Sequence, residues 1–300
     1  MAPWFEKKLG KENLRKESLR RIDNSHQSFF RKLSITQWLI ILNVIVYLLV
    51  FLTITFGANE KRVFSLIALQ PNNFFSGSIW TAFTSMFTHI WLPHLIFNMI
   101  SLLFLGNFLE RIIGRKKFLW FYIFSGLVAS IFYAALSYFF GSSDLGARIF
   151  VSPESYAVGA SGAIFGLAGL LSVLTPFMSV YLIAGPIIAI VVQSLIGMVI
   201  EQEAILAMIN FVITVYIFFS IFSMFSHSSV MRNIAVPIRM HFWILPIAAI
   251  VPLFIVGLFV ELPIGNTAHL GGLIAGIFYG FYLKNKYKKK TAMISKYFSR

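Results

Sequence analysis

Residues 38–56 read WLIILNVIVYLLVFLTITF, without a single charged side chain. A run of about 20 apolar residues is long enough to cross the hydrocarbon of a bilayer as a helix. A second run of this kind covers Ala204–Phe225. The whole composition agrees with these two stretches. Hydrophobic residues make up 58% of the 300 positions and charged residues 12%, about half the charged fraction of an ordinary soluble domain. The reading is an all-α, polytopic transmembrane helix bundle that uses most of the chain, with no second folded domain.

Hydropathy divides the bundle into about eight spans, near 35–56, 82–108, 117–140, 160–175, 178–200, 204–226, 241–260 and 267–284. Pro176 marks a break after the short fourth one. The net charge is +14, and it concentrates in Lys7–Lys32, in Lys284–Arg300 and in the short loops Glu110–Lys117 and His227–His241. Those segments fall on one side under alternating topology, and Lys/Arg-rich flanks mark the cytoplasmic side near anionic lipid. Both termini are therefore expected in the cytoplasm, of a cell whose plasma membrane holds the bundle. The expected organisation is a basic segment over 1–34, a membrane domain over 35–285 and a basic tail over 286–300. The charge pattern predicts a lipid partner and no nucleic acid. Residues 58–79 mix charges with Phe64, Leu66, Ile67, Phe74 and Phe75, which suits a segment lying in the outer interface. The chain has no cysteine, so disulfides, thiolate ligands and a Cys nucleophile are excluded.

Polar groups at membrane depth are costly and mark function or specific pairing. Gly159-Ala160-Ser161-Gly162 opens the fourth span and leaves the Ser161 hydroxyl uncrowded. Gly162 and Gly166 also form a small-residue face that could simply pack helices. His269 heads a second stripe, because 269, 272, 276 and 280 share one helical face and the last three are glycine. If the two glycine faces meet, Ser161 and His269 meet near the outer surface, with His269 as general base. Their separation of 108 positions fits two complete returns across a bilayer. A structural, hydrogen-bonded histidine is the competing reading.

His94 and Asn98 are four apart on one face of the second span, and His89 lies on its entering turn. Their side chains can donate to a developing oxyanion or bond neighbouring helices. A metal site is not expected, because no HExxH motif exists and no acidic residue falls inside these spans. An aspartyl mechanism needs two intramembrane carboxylates, and the only aspartates are Asp23 and Asp144. A Ser–His pair without an acidic third member is what remains.

Together these residues resemble the rhomboid family of intramembrane serine proteases. The likeness is carried by His94-Leu95-Ile96-Phe97-Asn98, Gly159-Ala160-Ser161-Gly162 and Ala268-His269-Leu270-Gly271-Gly272 with Gly276. It extends to Leu109-Glu110-Arg111, Gly114, Phe118 and Ser125-Gly126. The resemblance implies a rhomboid-like core of six spans, with two more inserted near 178–226. It implies Ser161 as nucleophile and His269 as base, with the oxyanion held by the Ser161 backbone N–H, Asn98 and His94. His89 is implied to support the entry loop and water access. Gly159 and Gly162 keep the substrate groove open, Phe165 packs on the His269 ring, and Gly272 and Gly276 line the helix that carries it. The implied partners are transmembrane protein substrates cut near the outer face, and no cofactor or metal is implied. The alternatives are a catalytically inactive relative that binds membrane clients, which should lack the serine or histidine, and a transporter, which should carry polar groups at the bilayer midplane.

Overall fold

The computed structural model describes residues 33–223, 226–259 and 265–298. The basic segment expected over 1–34 lies outside these except for its last two residues, and so does Glu261 of the expected outer loops. The first helix, α1 (Ile35–Thr55), is opened by a capping box. The Ser34 hydroxyl accepts from the Gln37 N–H, and the Gln37 side chain accepts from the Ser34 N–H. Two short helices follow, α2 (Glu60–Ile67) and α3 (Pro71–Phe75). α4 (Thr81–Thr84) runs into a 3₁₀ turn over Ser85–Phe87.

The helix α5 (Leu92–Ser101) continues through a π-turn at Leu102–Gly106 into α6 (Asn107–Ile113). This corrects the second span. It runs 92–113 rather than 82–108, because Thr88–Trp91 is non-helical and Pro93 suits the first turn of a new helix. At its far end Gly114 has φ +86, a conformation glycine adopts freely. The chain turns there into α7 (Arg115–Phe140). Glu110, expected in an inner loop, is buried inside α6. Its carboxylate accepts from the N–H groups of Ile35 and Thr36, both at 2.9 Å, and from the Thr36 hydroxyl at 2.8 Å. These are free donors at the start of α1, where a carboxylate is favoured.

After α8 (Asp144–Phe150) comes α9 (Ser161–Leu174), the central helix. The next stretch adds a two-stranded ribbon to the helical bundle. β1 (Ser179–Ile183) leads to α10 (Ala184–Gly197), α11 (Glu203–Ser223) and α12 (Ser229–Asn233), and β2 (Pro237–His241) then returns antiparallel beside β1. The register runs from Ser179 opposite His241 to Ile183 opposite Pro237. The spans expected at 178–200 and 241–260 therefore shorten to α10 and to α13 (Leu245–Gly257). The bundle closes with α14 (Asn266–Lys286) and a basic helix α15 (Lys288–Phe298).

By length and composition Ile35–Thr55, Leu92–Ile113, Arg115–Phe140 and Glu203–Ser220 can each cross a membrane, and α9, α10 and α13 are shorter apolar helices. The outer helices present large apolar side chains such as Leu49, Phe51, Phe211 and Phe254 on their free faces, as contact with lipid requires. The main core gathers Phe118, Phe121 and Tyr122 of α7 with Leu167, Leu170 and Leu171 of α9 and Leu102 and Leu109. The axis of the fold is the contact of α9 with α14. A Cβ added at Gly272 runs into the carbonyl oxygen of Gly162, and one at Gly276 into that of Gly166. On the opposite flank of α9, Ala129 and Ser125 of α7 fit against Gly162 and Gly166. Small residues on all three helices let the backbones approach as they do in lipid-embedded bundles.

Candidate active site

Ser161 is the first residue of α9 and His269 lies in the first turn of α14. Backbone contact between these helices brings the two side chains together. His269 Nε2 stands 2.8 Å from Ser161 Oγ. Both residues are half-buried. Phe165, one turn along α9, stacks on the His269 ring with centroids 4.4 Å apart and planes 19° from parallel. The ring is thus held on one face by an aromatic plane and at its edge by the serine. Ser161 at the start of a helix also has its backbone N–H free of an intrahelical partner.

The loop before Ser161 is fixed from two sides. The Gly159 N–H donates to the Ser85 carbonyl at 2.8 Å. Residue 157 forms an antiparallel bridge with Leu69 of the segment between α2 and α3. Close by, Gln70 and Asn72 donate to Glu154. Gly159 has φ +121, a conformation that side chains rarely tolerate. Its absent side chain also leaves room for α5, since a Cβ there sits 2.7 Å from His94 Cε1, 2.8 Å from His94 Nε2 and 3.6 Å from Asn98 Nδ2. His94 and Asn98 therefore face the turn that carries the serine. Asn98 is buried and donates one of its two amide hydrogens to the His94 carbonyl at 3.0 Å.

His89 is 1% exposed and meets the His94 ring edge-on at a centroid distance of 5.0 Å. Among the described residues neither of its ring nitrogens has a hydrogen-bond partner. Gly162, Gly272 and Gly276 sit in the α9–α14 seam below the Ser–His contact. Sequence reasoning missed Ser85, whose carbonyl anchors Gly159, and Ala129, which fills the space beside Gly162. A spacing signal existed for the latter, because Ser125 and Ala129 are four apart on one face of α7.

A polytopic helix bundle of this kind, with an apolar exterior and a Ser–His contact at one end of its two most closely packed helices, is an integral membrane protein. The rhomboid domain model matches residues 76–212, which include His89, His94, Asn98 and Ser161, with His269 beyond its end. The chain is 34% identical over 143 residues to the rhomboid protease AarA of Providencia stuartii, covering 45% of this chain and 49% of that one. It is 36% identical over 118 residues to the rhomboid protease GluP of Bacillus subtilis (strain 168), covering 39% and 18%. It is 33% identical over 127 residues to the mitochondrial RHOMBOID-like protein 12 of Arabidopsis thaliana, covering 41% and 38%. The chain thus spans half the length or less of these relatives. The matched region, a little under half of the chain, is rhomboid-like.

Proposed function

We propose that this protein is an intramembrane serine endopeptidase in which Ser161 and His269 form the catalytic dyad. The observation that carries the reading is the 2.8 Å contact between a hydroxyl and an imidazole 108 positions apart. A general base has to lie within about 2.6–3.2 Å of the proton it removes. In the first step Ser161 Oγ bonds to the scissile carbonyl carbon while its proton passes to His269 Nε2. The oxyanion so formed accepts from the Ser161 N–H, Asn98 Nδ2 and His94. His269 then returns the proton to the leaving nitrogen as the carbon–nitrogen bond breaks, which leaves an acyl-enzyme. Water, deprotonated by His269, releases the acid and regenerates Ser161. Phe165 keeps the imidazole in plane through the cycle, since no carboxylate is needed if stacking fixes the ring.

The substrates are transmembrane proteins cut near the outer end of a helix, in an integral membrane protein of the plasma membrane with both termini cytoplasmic. Helical hydrogen bonds hide the scissile carbonyl, so good substrates carry helix-weakening residues and a small residue before the cut. The segment 178–226 is an addition to a six-span core. The test uses the purified protein in detergent with a model transmembrane substrate. Ser161→Ala and His269→Ala are expected to abolish cleavage, and a labelled fluorophosphonate is expected to modify the unaltered protein at Ser161. Cleavage that survives either change excludes the dyad.

A further inference from the structure

At the end of α9 opposite Ser161, the chain forms a cleft of about 710 Å³ between α9, α14 and α15. One wall is hydrocarbon, made of Val173, Leu174, Phe177 and Phe281. The Phe177 and Phe281 rings are 55% and 56% exposed. The other wall carries Lys284, Lys288 and Lys296 with Asn285 and Ser295, and among the described residues no carboxylate lines the cleft. Acidic residues are absent from the whole stretch after Glu261. The neighbouring cations face elsewhere. Lys286 donates to the Tyr282 hydroxyl at 2.8 Å and lies over the Tyr282 and Tyr287 rings, and Lys117 sits 4.8 Å above the Tyr287 ring.

A purely solvated cluster of lysines has no use for two exposed aromatic rings beside it. A purely apolar groove has no use for Lys284 and Lys288 on its wall. The combination matches an amphiphile with an anionic head and a hydrocarbon tail. α15 also returns across the base of the bundle, where Phe298 meets Phe108 of α6 edge-on at 5.0 Å, so the cationic wall is held against the apolar one.

We propose that this cleft binds one anionic glycerophospholipid, its phosphate between Lys284 and Lys288 and one acyl chain along Val173, Phe177 and Phe281. Lysine ammonium groups act as point charges toward phosphate, and basic pockets between membrane helices suit lipid headgroups. The site lies at the other end of α9 from the Ser–His contact and rests on no assumption about catalysis.

The test titrates the full chain in neutral detergent with phosphatidylglycerol and reads bound lipid by native mass spectrometry. Two variants remove equal charge, Lys284→Gln/Lys288→Gln from the cleft and Lys289→Gln/Lys290→Gln beside it. The first pair is expected to weaken binding at least tenfold and the second less than twofold. Phe281→Ala, which changes no charge, is expected to weaken binding about fivefold and keeps the test decisive if a lysine variant folds poorly. Equal loss from both lysine pairs overturns the proposal in favour of diffuse charge. Displacement of the lipid by inorganic phosphate, or an unaffected Phe281→Ala, overturns the acyl-chain part and leaves an anion site only.

Discussion

Replacing Gly272 by alanine adds one methyl group at the tightest point of the α9–α14 seam. The new carbon overlaps the Gly162 carbonyl oxygen and lies 2.9 Å from the Gly162 carbonyl carbon and 3.3 Å from the Gly166 nitrogen. All of these are backbone atoms, so no side chain can rotate away. A carbon and a carbonyl oxygen settle at about 3.3 Å or more, so the two helices have to part by more than about 1 Å. The Ser161–His269 contact, now 2.8 Å, then passes the hydrogen-bonding limit. A misplacement of about 1 Å in catalytic geometry costs about 10²-fold in rate, and overpacking destabilises by about 1–3 kcal/mol. The assay is cleavage of a transmembrane substrate, paired with a thermal melt and with fluorophosphonate labelling. Gly197→Ala is the control, because a Cβ there meets nothing within 4 Å. A Gly272→Ala protein that cleaves at the unaltered rate refutes the argument that this seam sets the dyad distance.

Asn98→Ala is expected to lower kcat by about 10²–10³ with little change in KM, as loss of one oxyanion donor does; an altered KM with unchanged kcat assigns Asn98 to substrate binding instead. Phe165→Tyr is expected to keep activity within about twofold and Phe165→Ala to lose about tenfold, read as initial rates, since the ring face and not its edge meets His269. Glu110→Ala strands the donors of Ile35 and Thr36 and is expected to cost about 3 kcal/mol, measured by denaturation in detergent; an unchanged melt shows that water replaces the carboxylate. Joining Ile183 to Pro237 through an Asn-Gly turn removes 184–236 where the strands already pair. The shortened chain is expected to fold and to label at Ser161, and loss of labelling makes the segment part of the core.

The helical character of the bundle was legible because apolar blocks such as 38–56 leave a lipid-embedded chain little choice. The approach of α9 to α14 was legible from Gly162, Gly166, Gly272 and Gly276, since two featureless faces at matching depth have an obvious use in each other. The ribbon was not legible. SVYLI at 179–183 runs without a break into the apolar residues of α10, and its partner lies beyond α12, so hydropathy absorbed it into a span. Glu110 was read as a loop charge because its role depends on N–H groups 74 and 75 positions away. Nothing local to Glu110 announces that. The start of the second span slipped for a simpler reason. Phe83, Met86 and Phe87 look like span residues by hydropathy, but they belong to α4 and its 3₁₀ turn, and the chain then bends before Pro93.

The helices differ greatly in length. At about 1.5 Å per residue, the 26 residues of α7 reach about 39 Å, whereas the 14 of α10 and 13 of α13 reach only about 20 Å. Hydrocarbon is about 30 Å thick, so lipids beside α10 and α13 are asked to compress while those along α7 are not. Mismatch costs fractions of a kcal/mol per Å, which makes the flank of short helices a dimple in the surrounding leaflet. The protein's surroundings then become a variable of its behaviour: lengthening the acyl chains of a host vesicle raises the strain on that flank alone.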